Sequence, residues 1–175
     1  MKITKQWLVR HEACALGQEW FKNTFTKPME ATAVIRRLHE DNNFSWAVWL
    51  LLHILSHRNR VRIAVHAALL DLAQHHTYTL YERRLAMTAI EAAKRCLVSN
   101  TDRNRIAAAI AGRTAYCAVP SIAIAAVVAC DSGSRYETVR IAISYPRTPQ
   151  QNMPKIINFG LKLLRTQHRR KDSRS

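Results

Sequence analysis

The sequence predicts an all-α protein, a single-domain array of about eight or nine short-to-medium antiparallel helices. Three observations lead there. Only 4 glycines and 5 prolines interrupt 175 residues rich in alanine. Alanine has the best helix propensity, and glycine and proline the worst. Apolar residues recur at three- and four-residue spacing along several stretches. Helix-start signatures, Thr or Ser with Glu three residues on, stand at Thr79 and Ser134. A chain of this length buries roughly 70% of its unfolded surface, so its core can hold it without a staple.

The elements follow in order. Thr4 caps a short helix carrying Trp7 and Leu8, with Ile3 as a staple residue in front. A second short helix holds Cys14, Trp20, Phe21 and Phe25. Lys27-Pro28 opens a third through Glu40, because proline suits the first helical position. The next, from Phe44 to about Ser56, is apolar nearly all round and reads as central. Val61, Ala64, Val65, Ala68, Leu69 and Leu72 then mark a cleanly amphipathic helix, with Arg58, Arg60, Arg62 and His66 on its other face.

The Thr79–Glu82 capping box starts a helix that runs to about Val98. Ser99 to Asp102 ends it and starts an alanine-rich helix to Val119. Beyond Pro120, the apolar stretch 121–130 reads as a buried helix or a strand. A second capping box, Ser134 with Glu137, opens a helix that Pro146 stops. Thr148-Pro149 or Met153-Pro154 starts the last helix. We divide the chain into an N-terminal helical motif (1–26), a helical domain (27–167) and a basic tail (168–175) that lacks any apolar residue and frays.

Charge is the unusual property. Lys+Arg number 27 against 12 Asp+Glu, a net charge of +15. It is unevenly spread. Residues 1–56 carry seven Lys/Arg and five Asp/Glu, whereas residues 134–175 carry ten Lys/Arg and only Glu137 and Asp172. Such a surface attracts polyanions and acidic protein surfaces. Three basic sets stand out. The first is Arg58, Arg60 and Arg62. The second is Arg83, Arg84, Lys94, Arg95, Arg103 and Arg105. The third is Lys155, Lys162, Arg165, Arg169, Arg170 and Lys171. A solvated face usually mixes both signs, so the one-sided C-terminal set is the best candidate for a partner-binding surface. The apolar face of that helix, Ile156, Ile157, Leu161 and Leu164, would dock inward and leave the cations outside. Arg58, Arg60 and Arg62 are the next candidates.

The remaining chemistry is sparse. Cys14, Cys96, Cys117 and Cys130 form no C-x-x-C pair and read as reduced, mostly buried thiols of a cytoplasmic protein. The N-terminus has no apolar h-region, and no apolar run approaches the roughly 20 residues of a membrane span. There is no P-loop, G-x-S-x-G or G-x-G-x-x-G. His53 and His57 stand at zinc-ligand spacing but lack the glutamate of a zinc protease, so they read as a core or interface pair. His75-His76 reads as solvated beside a loop. Phe44, Trp46 and Trp49 offer a stacking platform for bases, but on an apolar helix they read as core. The expectation is a protein that is not an enzyme, with no cofactor, no metal and no small-molecule substrate.

Two resemblances add to this. Ile3-Thr4-Lys5-Gln6-Trp7-Leu8, followed by Ala13-Cys14 and Gly17 through Trp20-Phe21, resembles a short helical motif at the start of many small bacteriophage and bacterial proteins. His11-Glu12 stands where that motif usually has an Asn-Gly type turn. The stretch from about 44 to 119, with Trp46-Ala47-Val48-Trp49-Leu50 and Ala89 through Lys94, resembles a family of helical immunity proteins. The resemblance implies a non-enzymatic, phage- or mobile-element-like protein that neutralises a bacterial toxin or a defence or repair protein. It carries no functional residues over, and the strong basic charge departs from it. The charge itself points to an acidic protein surface as partner. The alternative is nucleic acid, bound by the same cations, although no zinc-finger, RRM or KH signature is present.

Overall fold

The structure, a computed structural model, describes residues 1–74, 76–130 and 152–172. It is all-α, with nine helices among the described residues: α1 (Lys5–Arg10), α2 (Ala15–Thr24), α3 (Ala31–Glu40), α4 (Phe44–Ile54), α5 (His57–Gln74), α6 (Leu80–Val98), α7 (Asp102–Tyr116), α8 (Pro120–Cys130) and α9 (Met153–Asp172). One small antiparallel pair, β1 (Lys2–Ile3) with β2 (Met29–Glu30), joins Lys2 to Glu30 and Ile3 to Met29. The second capping box at Ser134–Glu137, and the helix expected up to Pro146, lie outside the described residues.

Local chemistry explains most helix starts. Thr4 Oγ1 accepts from the Trp7 amide at 3.0 Å. The Thr79 box is complete: its hydroxyl accepts from the Glu82 amide and the Glu82 carboxylate accepts from the Thr79 amide. Thr101 caps α7 through the Asn104 amide. Such caps satisfy backbone donors that a helix start otherwise leaves open, and each contributes about 1 kcal/mol.

Two expected helix boundaries need correction, and one open choice is settled. The helix expected from Lys27-Pro28 begins only at Ala31. Met29 and Glu30 are extended instead, paired with β1, and the Ala31 amide donates to the Met1 carbonyl at 3.0 Å. Pairing between segments thus overrides the local preference of proline for a helix start. The same pairing holds Ile3 in a strand, where it is completely buried. The stretch 121–130 is helix, opened by Pro120 at its first position, where a missing amide costs nothing. The helix expected to run to about Ser56 ends at Ile54, and His57 opens α5. The two histidines therefore do not share a helix face.

Helices α5 to α8 pack on one another, with α8 touching α5, α6 and α7. This central place suits its composition: Ile122, Ala123, Ala125, Ala126, Val128 and Ala129 are all buried. Small residues let backbones approach. A Cβ on Gly112 of α7 would stand 3.2 Å from the Ala123 carbonyl oxygen of α8. On the other side, α9 lies against α3, α4 and α5. Leu50, Leu51 and Leu52 of α4 are buried, but Trp46, Trp49 and His53 are half-buried, so α4 is less central than its composition implies. Nor is α5 cleanly amphipathic. Val61, Ala64 and Ala68 are buried, but so are Ile63 and Ala67, because the helix has neighbours on both flanks. Cys96 is buried, whereas Cys14 and Cys117 are exposed, contrary to the expectation of mostly buried thiols. Among the described residues no helix is long and apolar enough to cross a membrane.

Candidate binding face on α5 and α9

Two polar clasps hold α9 antiparallel to α5. At one end, Gln167 Oε1 accepts from the Ser56 amide at 3.1 Å and from Asn59 Nδ2 at 3.0 Å. Gln167 Nε2 donates to the Ile54 carbonyl. At the other end the amides of Gln74 and Asn152 exchange two hydrogen bonds, both 2.7 Å. Asn152 is fully buried. Between the clasps, Gly160 of α9 sits so close to α4 and α5 that an added Cβ would stand 2.8 Å from Leu51 and 3.1 Å from Ile63.

This docking orients the cations. Ile156, Ile157, Leu161 and Leu164 are buried, and Lys155, Lys162 and Arg165 are exposed. The backbone of α9 continues through Asp172, while the side chains of Arg169 and Arg170 lie outside the described residues. On α5, Arg58 and Arg62 are four residues apart and share one side of the helix. Arg58 is exposed, and Arg62 is half-buried with its guanidinium 3.4 Å from Asn59 Oδ1. A chain of contacts thus runs from Arg62 through Asn59 to Gln167.

Arg60 does not join them. Two residues on, a helix turns about 200°, and Arg60 lies on another side, near His53. Burial pushes the Arg60 guanidinium below its ordinary range. Burial is also the main reason that the His53 imidazole sits below its usual value. The Trp49 carbonyl opposes the shift, and His11 and Arg60 add to it. His66, on the seam, stacks on Phe159 at 4.3 Å. Burial and then Lys162 push it down.

The face has one sign. Asp71, the single carboxylate of α5, is buried and accepts from the Tyr78 hydroxyl at 3.1 Å. The single carboxylate of α9 is its last residue, Asp172. Arg58, Lys155, Lys162 and Arg165 have no carboxylate partner among the described residues. The second basic set differs, because Lys94 pairs with Glu91 at 2.7 Å and Arg105 pairs with Asp102.

Sequence reasoning named the cations and His66 but missed Asn59, Phe159 and Gln167, which with His66 bring the two helices together. A signal existed: Gln167 is a polar residue at a position in phase with Leu164 and Gly160. Among the described residues no three His, Cys, Asp or Glu side chains are placed to hold a metal ion.

A family model described as the YdhT N-terminal domain matches residues 1–58. The match takes in β1 to α4 and the start of α5, and covers 58 of the 175 residues. Within the matched residues β1 pairs with β2, and Trp20 Nε1 donates to Asp41 at 3.1 Å. No curated protein and no solved structure matches the chain. None of these findings bears on the resemblance of residues 44–119 to helical immunity proteins.

Proposed function

We propose that this chain is a non-enzymatic binding protein that engages an acidic protein surface through Arg58, Arg62, Lys155, Lys162 and Arg165. The observation that carries the reading is the convergence of two cationic helices on one side of the molecule, with both local carboxylates either buried or terminal. Cations this numerous repel one another, and an acidic partner relieves that repulsion while steering its own approach. The immunity-protein resemblance supplies the class of partner: a bacterial toxin, or a defence or repair protein, which the chain neutralises by covering it.

Direct binding of nucleic acid is the second reading, favoured by the spacing of exposed cations along two adjacent helices. Salt separates the two. Binding to random duplex DNA through six to ten phosphate contacts weakens about a thousandfold or more between 50 and 200 mM salt. A protein interface with a desolvated centre persists at physiological salt. The test is a duplex titration across that range, beside the same titration of a purified acidic partner obtained by crosslinking at Lys162. Duplex binding with the steep slope, and no protein retained at physiological salt, overturns the protein-partner reading.

A further inference from the structure

A second site lies away from the basic face, within residues 1–58. A cavity of about 260 Å³ opens between α1, α2, α3 and α4. Its floor is apolar: Leu8, Phe21, Val34, Leu38 and Leu50 are buried. Its walls are indoles, since Trp20, Trp46 and Trp49 line it and each is half-buried. Its rim is polar, with Glu12, Cys14 and Ser45 exposed. Among the described residues Glu12 is the only charged one that lines it.

The walls are held in place. Trp20 donates to Asp41 at 3.1 Å and packs edge-on to Phe25 at 5.8 Å. Trp46 stands 6.3 Å from Trp20 at an angle of 62°. Trp49 is braced by His53 at 4.1 Å and Trp7 at 6.1 Å. Fixed indoles lose little freedom when a ligand enters, which favours binding.

Glu12 occupies an unfavourable backbone position. Its φ is 57°, in the left-handed region, where Gly or Asn is at ease and a longer side chain costs about 1–2 kcal/mol. Two bonds hold the turn, from the Glu12 amide to the Val9 carbonyl and from the Ala13 amide to the Leu8 carbonyl, both 3.0 Å. Nothing in that turn calls for a carboxylate. Glu12 is, however, exposed where it lines the indole-walled cavity. Residues 1–56 also carry five of the chain's twelve carboxylates against seven of its 27 cations, so the local field is far milder than the net charge implies.

We infer that this cavity binds a small quaternary-ammonium cation. Indole faces attract such a cation through their electron-rich quadrupoles. Its methyl groups suit the apolar floor, and Glu12 neutralises its charge at the rim. A neutral ligand of the same shape forgoes both electrostatic contributions, and an anion is repelled by the single charge present.

The test uses the full chain and two ligands of the same shape, choline and its uncharged carbon analogue 3,3-dimethylbutan-1-ol, at constant ionic strength. Tryptophan fluorescence is the readout. Choline is expected to saturate the signal at millimolar concentration or below, about tenfold more tightly than the alcohol, a difference of about 1.4 kcal/mol. Glu12→Gln should abolish most of that preference. Gly17→Leu should block both ligands, because a Cβ there points toward Trp46, 4.0 Å away. Circular dichroism shows whether each variant is folded, and the comparison of the two ligands on the unaltered chain needs no variant. No saturable response to choline, equal affinity for the alcohol, or an unchanged preference in folded Glu12→Gln would each overturn the proposal.

Discussion

The Asn59 side chain donates a 3.0 Å hydrogen bond to Gln167 across 108 residues of sequence, and so sets the first turn of α5 against the end of α9. The same oxygen of Gln167 accepts from the Ser56 amide at the mouth of α5. Gln167→Ala is therefore expected to destabilise by about 1–3 kcal/mol, since it leaves part-buried donors unsatisfied. Urea unfolding checks this. A change below about 0.5 kcal/mol, the range of an ordinary surface substitution, would mean that the clasp does not hold α9.

Close packing between the clasps makes a second prediction. Gly160→Ala gains roughly 1 kcal/mol of helix propensity. Its new methyl, however, meets both terminal carbons of Leu51 at 2.8 Å, and Leu51 is itself fully packed. Overpacking of this kind costs about 1–3 kcal/mol. The expected outcome is a lower melting temperature despite the better helix former. A higher one would show that Leu51 relaxes freely and that α9 docks loosely.

Two histidines make stability depend on pH. Burial, reinforced by His11 and Arg60, lowers the His53 imidazole in the folded chain, and burial with Lys162 lowers His66. The unfolded state then binds more protons than the folded one as pH falls below the ordinary histidine value of about 6.5. The sign follows: their contribution to stability is present above that value and is lost as pH falls through the folded values. Melting temperature should decline on acidification from pH 7 to pH 5, and His53→Gln should flatten part of the decline. Lys162→Met should raise the His66 value seen by proton NMR. No rise would mean that Lys162 stands too far off to act on it.

How much of this was legible beforehand depended on the range of the interaction. The caps at Thr4 and Thr79 act within four residues, and the sequence places both; for α7 it gives only the span Ser99 to Asp102, within which Thr101 is the cap. The apolar stretch 121–130 left helix and strand open, because a run buried on every side has no period to read. Only contact with α5, α6 and α7 settles it as helix. The late start of α3 was invisible, since it depends on Met1 and Ile3 lying beside Met29. The basic face was half legible. Lys162 and Arg165 point outward by helical spacing alone. That they share a side with Arg62, while Arg60 turns away toward His53, depends on the seam between α5 and α9. The cavity was hidden for a related reason: its walls come from α2 and α4, and a tryptophan on an apolar helix reads as core.

The face itself is tested by charge reversal. Arg58→Glu, Lys162→Glu and Arg165→Glu together alter three exposed side chains that have no carboxylate partner among the described residues. Their removal breaks no ion pair, and the melting temperature is expected to move by only a few degrees, as for other surface changes. Partner affinity should fall at least tenfold, about 1.4 kcal/mol. Reversal of three charges also makes a neutral contact repulsive, so a face that touches the partner cannot respond weakly. Arg165 lies about two turns before the end of α9 at Asp172, beyond the last turn in which a cation complements the helix dipole. Arg165→Gln alone is the control, since it removes the charge without reversing it. A triple variant that stays folded and binds as well as the unaltered chain places the interface elsewhere. A triple variant that unfolds, beside a stable Arg165→Gln, shows that Arg58 and Lys162 are structural and removes the basis for the face.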